Sequence, residues 1–303
     1  MDTDGMKDSM TGGEQDVPSG IWRTPSFQRW YTAQRDAGNV LLGARPVWTS
    51  TINGESGAVF FWALHVRMHV AAEDRTKDNE IVISRPDVSV VALYRPGPSL
   101  DETTVVLVRE FRSPASTPDG FVHELPGGSS PAKAATLAEP ATAVQAATPA
   151  EPASPAEAAK PTAAAKPTEA ASLTGAAKPT ETGGVTLLAE VLGQAVDELV
   201  EETGLRVDAG RFRAHGSRQV AATVSAHHAH LFSAEITDDE LAWLRTQRDR
   251  PHGVDGDSER TWVEIATFGE IRAARLVDWA TLGMLIEALT QPPSERRPAE
   301  RTS

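Results

Sequence analysis

Apolar and polar residues alternate most clearly from Trp62 to Val70. Trp62, Leu64, Val66, Met68 and Val70 share one face, and Ala63, His65, Arg67 and His69 the other. A period of two with one apolar face predicts a half-buried strand. Residues 88–94 and 105–109 read as strands separated by the turn sequence PGPSLDET, and 121–125 as a short strand stopped by Pro126-Gly127-Gly128. The period then lengthens. Across 187–203, Leu188, Leu192, Ala195 and Leu199 fall on one stripe, which predicts a helix, and Gly204 suits a left-handed cap at its end. Beyond it the pattern predicts strands at 229–236 and 262–266 and helices at 238–248 and 279–289. Strands interspersed with helices predict a layered α/β or α+β domain.

Three stretches lack any such pattern. Residues 1–20 are rich in Gly, Asp and Ser, and 292–303 are polar and proline-bearing, so both are expected to be disordered. Between them, 129–182 is dominated by Ala, Pro, Thr, Glu and Lys, with AAKPT repeated from Ala158, Ala164 and Ala176. Prolines this frequent stop helix propagation, and small side chains bury too little area to offset ordering entropy. The segment reads as an extended, semi-stiff insert. What remains is one domain over 87–291, interrupted at 129–182, with an N-terminal extension at 21–86.

Composition sharpens this picture in two ways. The chain of 303 residues has no cysteine, which excludes a disulfide scaffold, a cysteine-ligated zinc site and a cysteine nucleophile. Its net charge of −13 argues against non-specific binding to nucleic acid or anionic membrane. The N-terminus lacks the basic and apolar regions of a signal peptide, and VFFWALHVRMHV is too short and too polar to span a bilayer, so a cytoplasmic protein is expected.

Much of the acidity converges on the helix at 187–203. Glu190, Asp197, Glu198, Glu201 and Glu202 fall within an arc of about 140° at about 100° per residue. A solvated helix face would account for acids alone. However, like charges at i,i+3 and i,i+4 repel, no Lys or Arg lies within the helix, and Glu201 and Glu202 stand where the macrodipole disfavours anions. A bound hard cation such as Mg²⁺ would offset all three effects.

DELVEETGL, from Asp197 to Leu205, resembles the second half of the Nudix box, G-x5-E-x7-R-E-U-x-E-E-x-G-U. Glu198, Glu201, Glu202, Gly204 and Leu205 fall on motif positions. HELPGG, from His123 to Gly128, resembles the strand and turn that open this box in the ADP-ribose pyrophosphatase branch, and LVREFRSP resembles that branch's substrate-contacting strand. Gly128 and Glu198 are 70 positions apart where the motif has 15, an excess that matches the Ala/Pro-rich insert. Gly184-x5-Glu190 offers an alternative opening after the insert. Asp197 stands where the motif has arginine, with Arg109, Arg112 and Arg218 as candidate substitutes.

The resemblance implies a Nudix-fold α/β/α sandwich with a mixed sheet, hydrolysing a small-molecule nucleoside diphosphate derivative, either a nucleoside diphosphate sugar or ADP-ribose. It implies Mg²⁺ or Mn²⁺ held by Glu198, Glu201, Glu202 and the Gly127 carbonyl, with Glu201 and Glu202 in the catalytic set. Glu259, on the polar loop 250–265, is the candidate general base, with Asp257 second. Arg109, Arg112 and Glu124 stand where the branch contacts substrate; each also reads as an ordinary strand-end or turn-ordering charge. A homodimer is implied too. The alternative is a catalytically weak domain that senses or scaffolds a nucleotide sugar. His227, His228 and His230 cannot all converge from one strand, because alternation puts His227 on the opposite face. The tryptophans read as core, with Trp22, Trp30 or Trp48 candidates to lie near a base.

Overall fold

The computed structural model describes residues 12–52, 58–129, 181–253 and 260–291, with side chains of the helix that begins at 181 described from 188 onward. The alternating segment forms the middle strand of a three-stranded antiparallel sheet. Its strands are β1 (Val40–Thr51), β2 (Val59–Val70) and β3 (Arg75–Ser84), in that order. Trp62, Leu64, Val66 and Met68 are buried as their spacing predicts, together with Val17, Ile21, Phe27 and Leu41. Phe27 comes from helix α2 (Pro25–Asp36), which follows the short helix α1 (Ser19–Trp22) and is capped by the Thr24 hydroxyl accepting from the Phe27 N–H.

Residues 12–20 therefore depart from the expectation that the first twenty positions do not pack. Gly13–Asp16 form a 3₁₀ turn, and Val17 is fully buried. The reason is a close backbone approach: a Cβ on Gly13 would lie 2.2 Å from the Gly43 nitrogen. Glu14 also accepts the Tyr31 hydroxyl at 2.6 Å. Polar composition concealed one apolar anchor, Val17, and one structural acid, Glu14.

The second sheet has eight strands. β4 (Val88–Arg95) and β5 (Thr104–Phe111) lie at its centre; β6 (Phe121–Glu124) pairs with β5, and β7 (Gly127–Gly128) with β4. After helix α3 (Glu181–Thr203), β8 (Arg213–Gln219) and β9 (His228–Glu235) extend the β4 side. Helix α4 (Asp238–Arg245) follows, and then β10 (Pro251–His252) and β11 (Thr261–Thr267) extend the β5 side. Helices α5 (Phe268–Ala274) and α6 (Trp279–Thr290) close the chain. β4 and β9 are parallel and the other pairs antiparallel, so the sheet is mixed.

Alternation sorts the sheet's side chains onto two faces. Val91, Leu93, Val106, Phe232 and Val263 pack with Val191, Ala195 and Leu199 of α3 and Leu241 and Leu244 of α4. Val90, Ala92, Val105, Leu107 and Leu231 pack with Phe268 and Ile271 of α5 and Leu285 and Ala288 of α6. Helices thus cover both faces of a mixed sheet.

The helix at α3 begins at Glu181, six residues before the expected start, so the last two positions of the expected insert are helical; 130–180 lie outside the described residues. Its buried stripe runs through Val191, Ala195 and Leu199, while Leu188 is exposed. Gly204 does cap it in the left-handed conformation, at φ 75°. The helix expected to end at Arg248 stops at Arg245, after starting in a capping box formed by Thr237 and Glu240. No helix among the described residues is long and apolar enough to cross a membrane.

Candidate functional site

The β7 turn and helix α3 meet face to face. In β7, Gly128 stands opposite Ser89 and Gly127 opposite Val90. The Gly127 N–H donates to Glu202 Oε2 at 2.8 Å, and the Gly128 carbonyl accepts from Gln194 Nε2 at 2.9 Å. Glu198 lies between these contacts. A Cβ on Gly128 would come within 2.6 Å of Glu198 Oε2, and one on Gly127 within 2.2 Å of the Ser89 carbonyl. Gly127 is therefore required by close approach of backbone, whereas at Gly128 only the end of the Glu198 side chain would have to move. Gln194, Glu198 and Glu202 form an i,i+4,i+8 row, so one helical stripe presents all three to the turn.

The sheet adds a third carboxylate that sequence reasoning missed. Val106, Val108 and Glu110 continue one alternating row of β5, and Val106 belongs to the core beneath α3. Glu110 is 4% exposed and Glu202 8% exposed. Burial pushes the Glu202 carboxyl well above the ordinary carboxylate range; the Gly127 N–H opposes this, Glu198 and Glu110 add to it, and Arg112 opposes it. The signal for Glu110 was available: the period of two extends past Arg109, where the predicted strand was ended.

The same alternation separates the two candidate arginines. Arg112 Nη2 lies 2.8 Å from Glu110 and 3.3 Å from Glu124, inside the acidic cluster. Arg109, an odd-numbered neighbour, points away. It pairs with Asp119 at 2.8 Å and stacks on the Phe121 ring at 3.9 Å. Arg218, on β8, pairs with Glu287 at 3.6 Å and is not among these contacts. The structure thus brings together Gly127, Gly128, Glu198, Glu202, Glu110, Glu124 and Arg112. Glu201 and Asp197 are exposed on α3, with the Glu201 carbonyl accepting from the Gly253 N–H. Glu259 and Asp257 lie outside the described residues.

Among the described residues, no three His, Asp or Glu side chains converge closely enough to hold a metal ion as they stand. The donor set nevertheless suits a hard divalent cation, being oxygen throughout, and the absent Cβ of Gly128 is what admits Glu198 to the turn.

The histidine run serves a different centre. Asp87 accepts the His228 N–H at 2.9 Å, contacts His230 Nε2 at 3.4 Å and pairs with Arg29 of α2. Burial opposes its ionisation, yet the His230 bond, the Arg29 charge and the His228 N–H lower its pKa to about 2. His227 Nδ1 meets Ser225 Oγ instead, in keeping with its opposite face. This cluster ties α2 to β9, and neither Asp87 nor Arg29 carried a motif that marked it. Of the tryptophans, Trp22, Trp30 and Trp62 surround Phe27, whereas Trp48 and Trp279 are exposed.

Compared with family models and with curated proteins, the chain matches neither a family nor a relative.

Proposed function

We propose that the chain is a Mg²⁺- or Mn²⁺-dependent Nudix-fold hydrolase that cleaves the pyrophosphate of a nucleoside diphosphate sugar or ADP-ribose, yielding a nucleoside monophosphate and a sugar phosphate. The observation that carries this reading is the meeting of Gly127-Gly128 with Glu198 and Glu202 although the two motif halves stand 70 positions apart. Chain separation on that scale gives no local reason for contact. The eight-stranded mixed sheet with helices on both faces is compatible with the proposed fold.

When bound, a divalent cation supplies neutralisation of the diphosphate and Lewis-acid polarisation at phosphorus. Glu198 and Glu202 would hold it, joined by Glu201 from the same helix and by the Gly127 carbonyl. The Gly127 N–H fixes Glu202, and Gln194 fixes the Gly128 carbonyl, so the turn and helix keep their spacing. Arg112 offers a planar guanidinium for a phosphate oxygen pair. Glu259 remains the proposed base that takes the proton of the attacking water. A cytoplasmic homodimer belongs to the same reading.

The test is a panel of nucleoside diphosphate sugars and ADP-ribose incubated with Mg²⁺, with products separated by ion-exchange chromatography. A Glu201→Gln, Glu202→Gln double variant is run beside the native chain. Turnover by the native chain that is lost in the double variant supports hydrolysis. Binding without cleavage by either form refutes it. That second outcome supports the alternative, a catalytically weak nucleotide-sugar sensor or scaffold. Asp197 at the motif's arginine position and the long split of the box favour that alternative, and among the described residues no three acids or histidines are placed to hold an ion.

A further inference from the structure

A cleft of about 230 Å³ lies between β8, β9 and α6. Its floor includes Ala229 and Leu231, which belong to the sheet face packed under α5 and α6. The acidic cluster lies with α3 on the other face, so the sheet separates the two. On α6, Leu285 and Ala288 turn into the core, whereas Trp279, Gly283 and Glu287, at i, i+4 and i+8, line the cleft. Two features of this stripe have no cause in the packing. Trp279 is 87% exposed, more than any other large apolar side chain among the described residues. Gly283 stands inside a helix, where only proline is a poorer former, yet a Cβ there would meet nothing within 4 Å. Neither close approach nor a left-handed backbone requires glycine at that position. Both features serve the cleft instead: one places an aromatic face beside it, and the other leaves space along its wall.

Size and charge then narrow the occupant. An apolar cavity of about 150 Å³ holds benzene, so this cleft has room for a fused bicyclic ring. Of the charged residues that line it, Arg218 pairs with Glu287 at 3.6 Å, too far for a hydrogen bond, while Glu287 already accepts from the Gln291 side-chain amide. The guanidinium is thus the group with donors to offer. We propose that the cleft binds a small planar aromatic acid, its ring stacked on Trp279 and its carboxylate held by Arg218. A carboxylate matches the guanidinium fork in a bidentate pair, which the loose contact with Glu287 does not supply. The ring would pass over Gly283 toward Met284, whose sulfur suits an aromatic edge. This site is independent of the hydrolase reading.

The test titrates the full chain with indole-3-carboxylate in a calorimeter, with indole as the uncharged counterpart. The native chain should bind the acid about tenfold more tightly than indole. Gly283→Leu fills the cleft and should abolish binding of both, with a melting temperature equal to or above the native one. Trp279→Ala should weaken both by about tenfold; its exposed position lets it decide the matter if Gly283→Leu fails to fold. Arg218→Gln should weaken the acid by about tenfold and leave indole unchanged. Failure of the native chain to bind the acid overturns the proposal, as does equal binding by the native chain and Trp279→Ala. Undiminished binding of the acid by Arg218→Gln overturns the ligand class. A native dimer that Trp279→Ala dissociates in sedimentation, with no binding of the acid, assigns the face to a second copy of the chain and overturns the proposal too. The hydrolase reading survives each of these outcomes.

Discussion

Replacing Asp87 by Asn isolates the electrostatic link between α2 and the central sheet. Asparagine keeps an acceptor for the His228 N–H while removing the charge that Arg29 and His230 face. The Asp87 side chain is only 16% exposed, so solvent screens it weakly. Its pKa falls from an ordinary 3.8 to about 2. A depression of that size corresponds to about 2 kcal/mol of folded-state stabilisation at neutral pH. The folded value lies below the unfolded one. The contribution is therefore fully present above the unfolded pKa and is lost as pH falls through the folded pKa. At pH 3 about half of it should remain. Urea unfolding of the native chain and Asp87→Asn at pH 7, 5 and 3 measures this directly. A deficit of about 2 kcal/mol at pH 7 and 5 should shrink to about 1 kcal/mol at pH 3. A deficit that does not change between pH 7 and pH 3 would refute the electrostatic account, and so would the absence of any deficit at pH 7.

Gly128→Ala puts a Cβ 2.6 Å from Glu198 Oε2. Because the atom it meets is the end of a movable side chain, unfolding free energy should drop by less than about 1 kcal/mol, while the Mg²⁺-dependent turnover of the proposed hydrolase should fall by about tenfold or more. Stability of the metal-free chain should rise in Glu202→Gln, because burial holds this carboxyl well above its ordinary range. A raised folded pKa favours the fold below the unfolded value and penalises it as pH increases, so the gain should appear on going from pH 4 to pH 7 in thermal melts. Thr237→Ala removes the hydroxyl that accepts from the Glu240 N–H at the start of α4. It should lower unfolding free energy by about 1 kcal/mol without altering Mn²⁺ affinity.

The legible parts of this fold were those in which one period ran undisturbed. Trp62 to Met68 was found because its apolar face alternates cleanly, and 88–94 and 105–109 because they are short apolar runs flanking a turn, buried on both faces; β8, which has no such run, was not found. Gly204 was found because a left-handed cap suits glycine. The failures share a different cause. Ending the β5 pattern at Arg109 hid Glu110 and left Arg109 and Arg112 looking equivalent, although the pleat places them on opposite sides. In α3, Leu188 outranks Val191 by hydrophobicity, but the stripe that meets the sheet is set by Ala195 and Leu199. Val17 went unread because a single apolar residue in polar surroundings has no period. Asp87 and Arg29 meet only through tertiary structure, 58 positions apart, and no local pattern anticipates such a pair.

The pairing of β4 with β9 has a topological consequence. Residues 12–129 supply β1 to β7, including the glycine turn and Glu110; residues from 181 onward supply α3 with its carboxylates and the strands that border β4 and β5 on either side. Val88 to Tyr94 run beside Ala229 to Glu235, and Thr104 to Glu110 beside Thr261 to Thr267. Neither portion possesses the complete eight-stranded sheet or a complete acidic site. A protease cut anywhere within 130–180 would thus leave two polypeptides clasped along two full strand seams, with the site at their join. Expressed as two separate halves, the chain should reassemble, and their co-purification would report whether they have found each other.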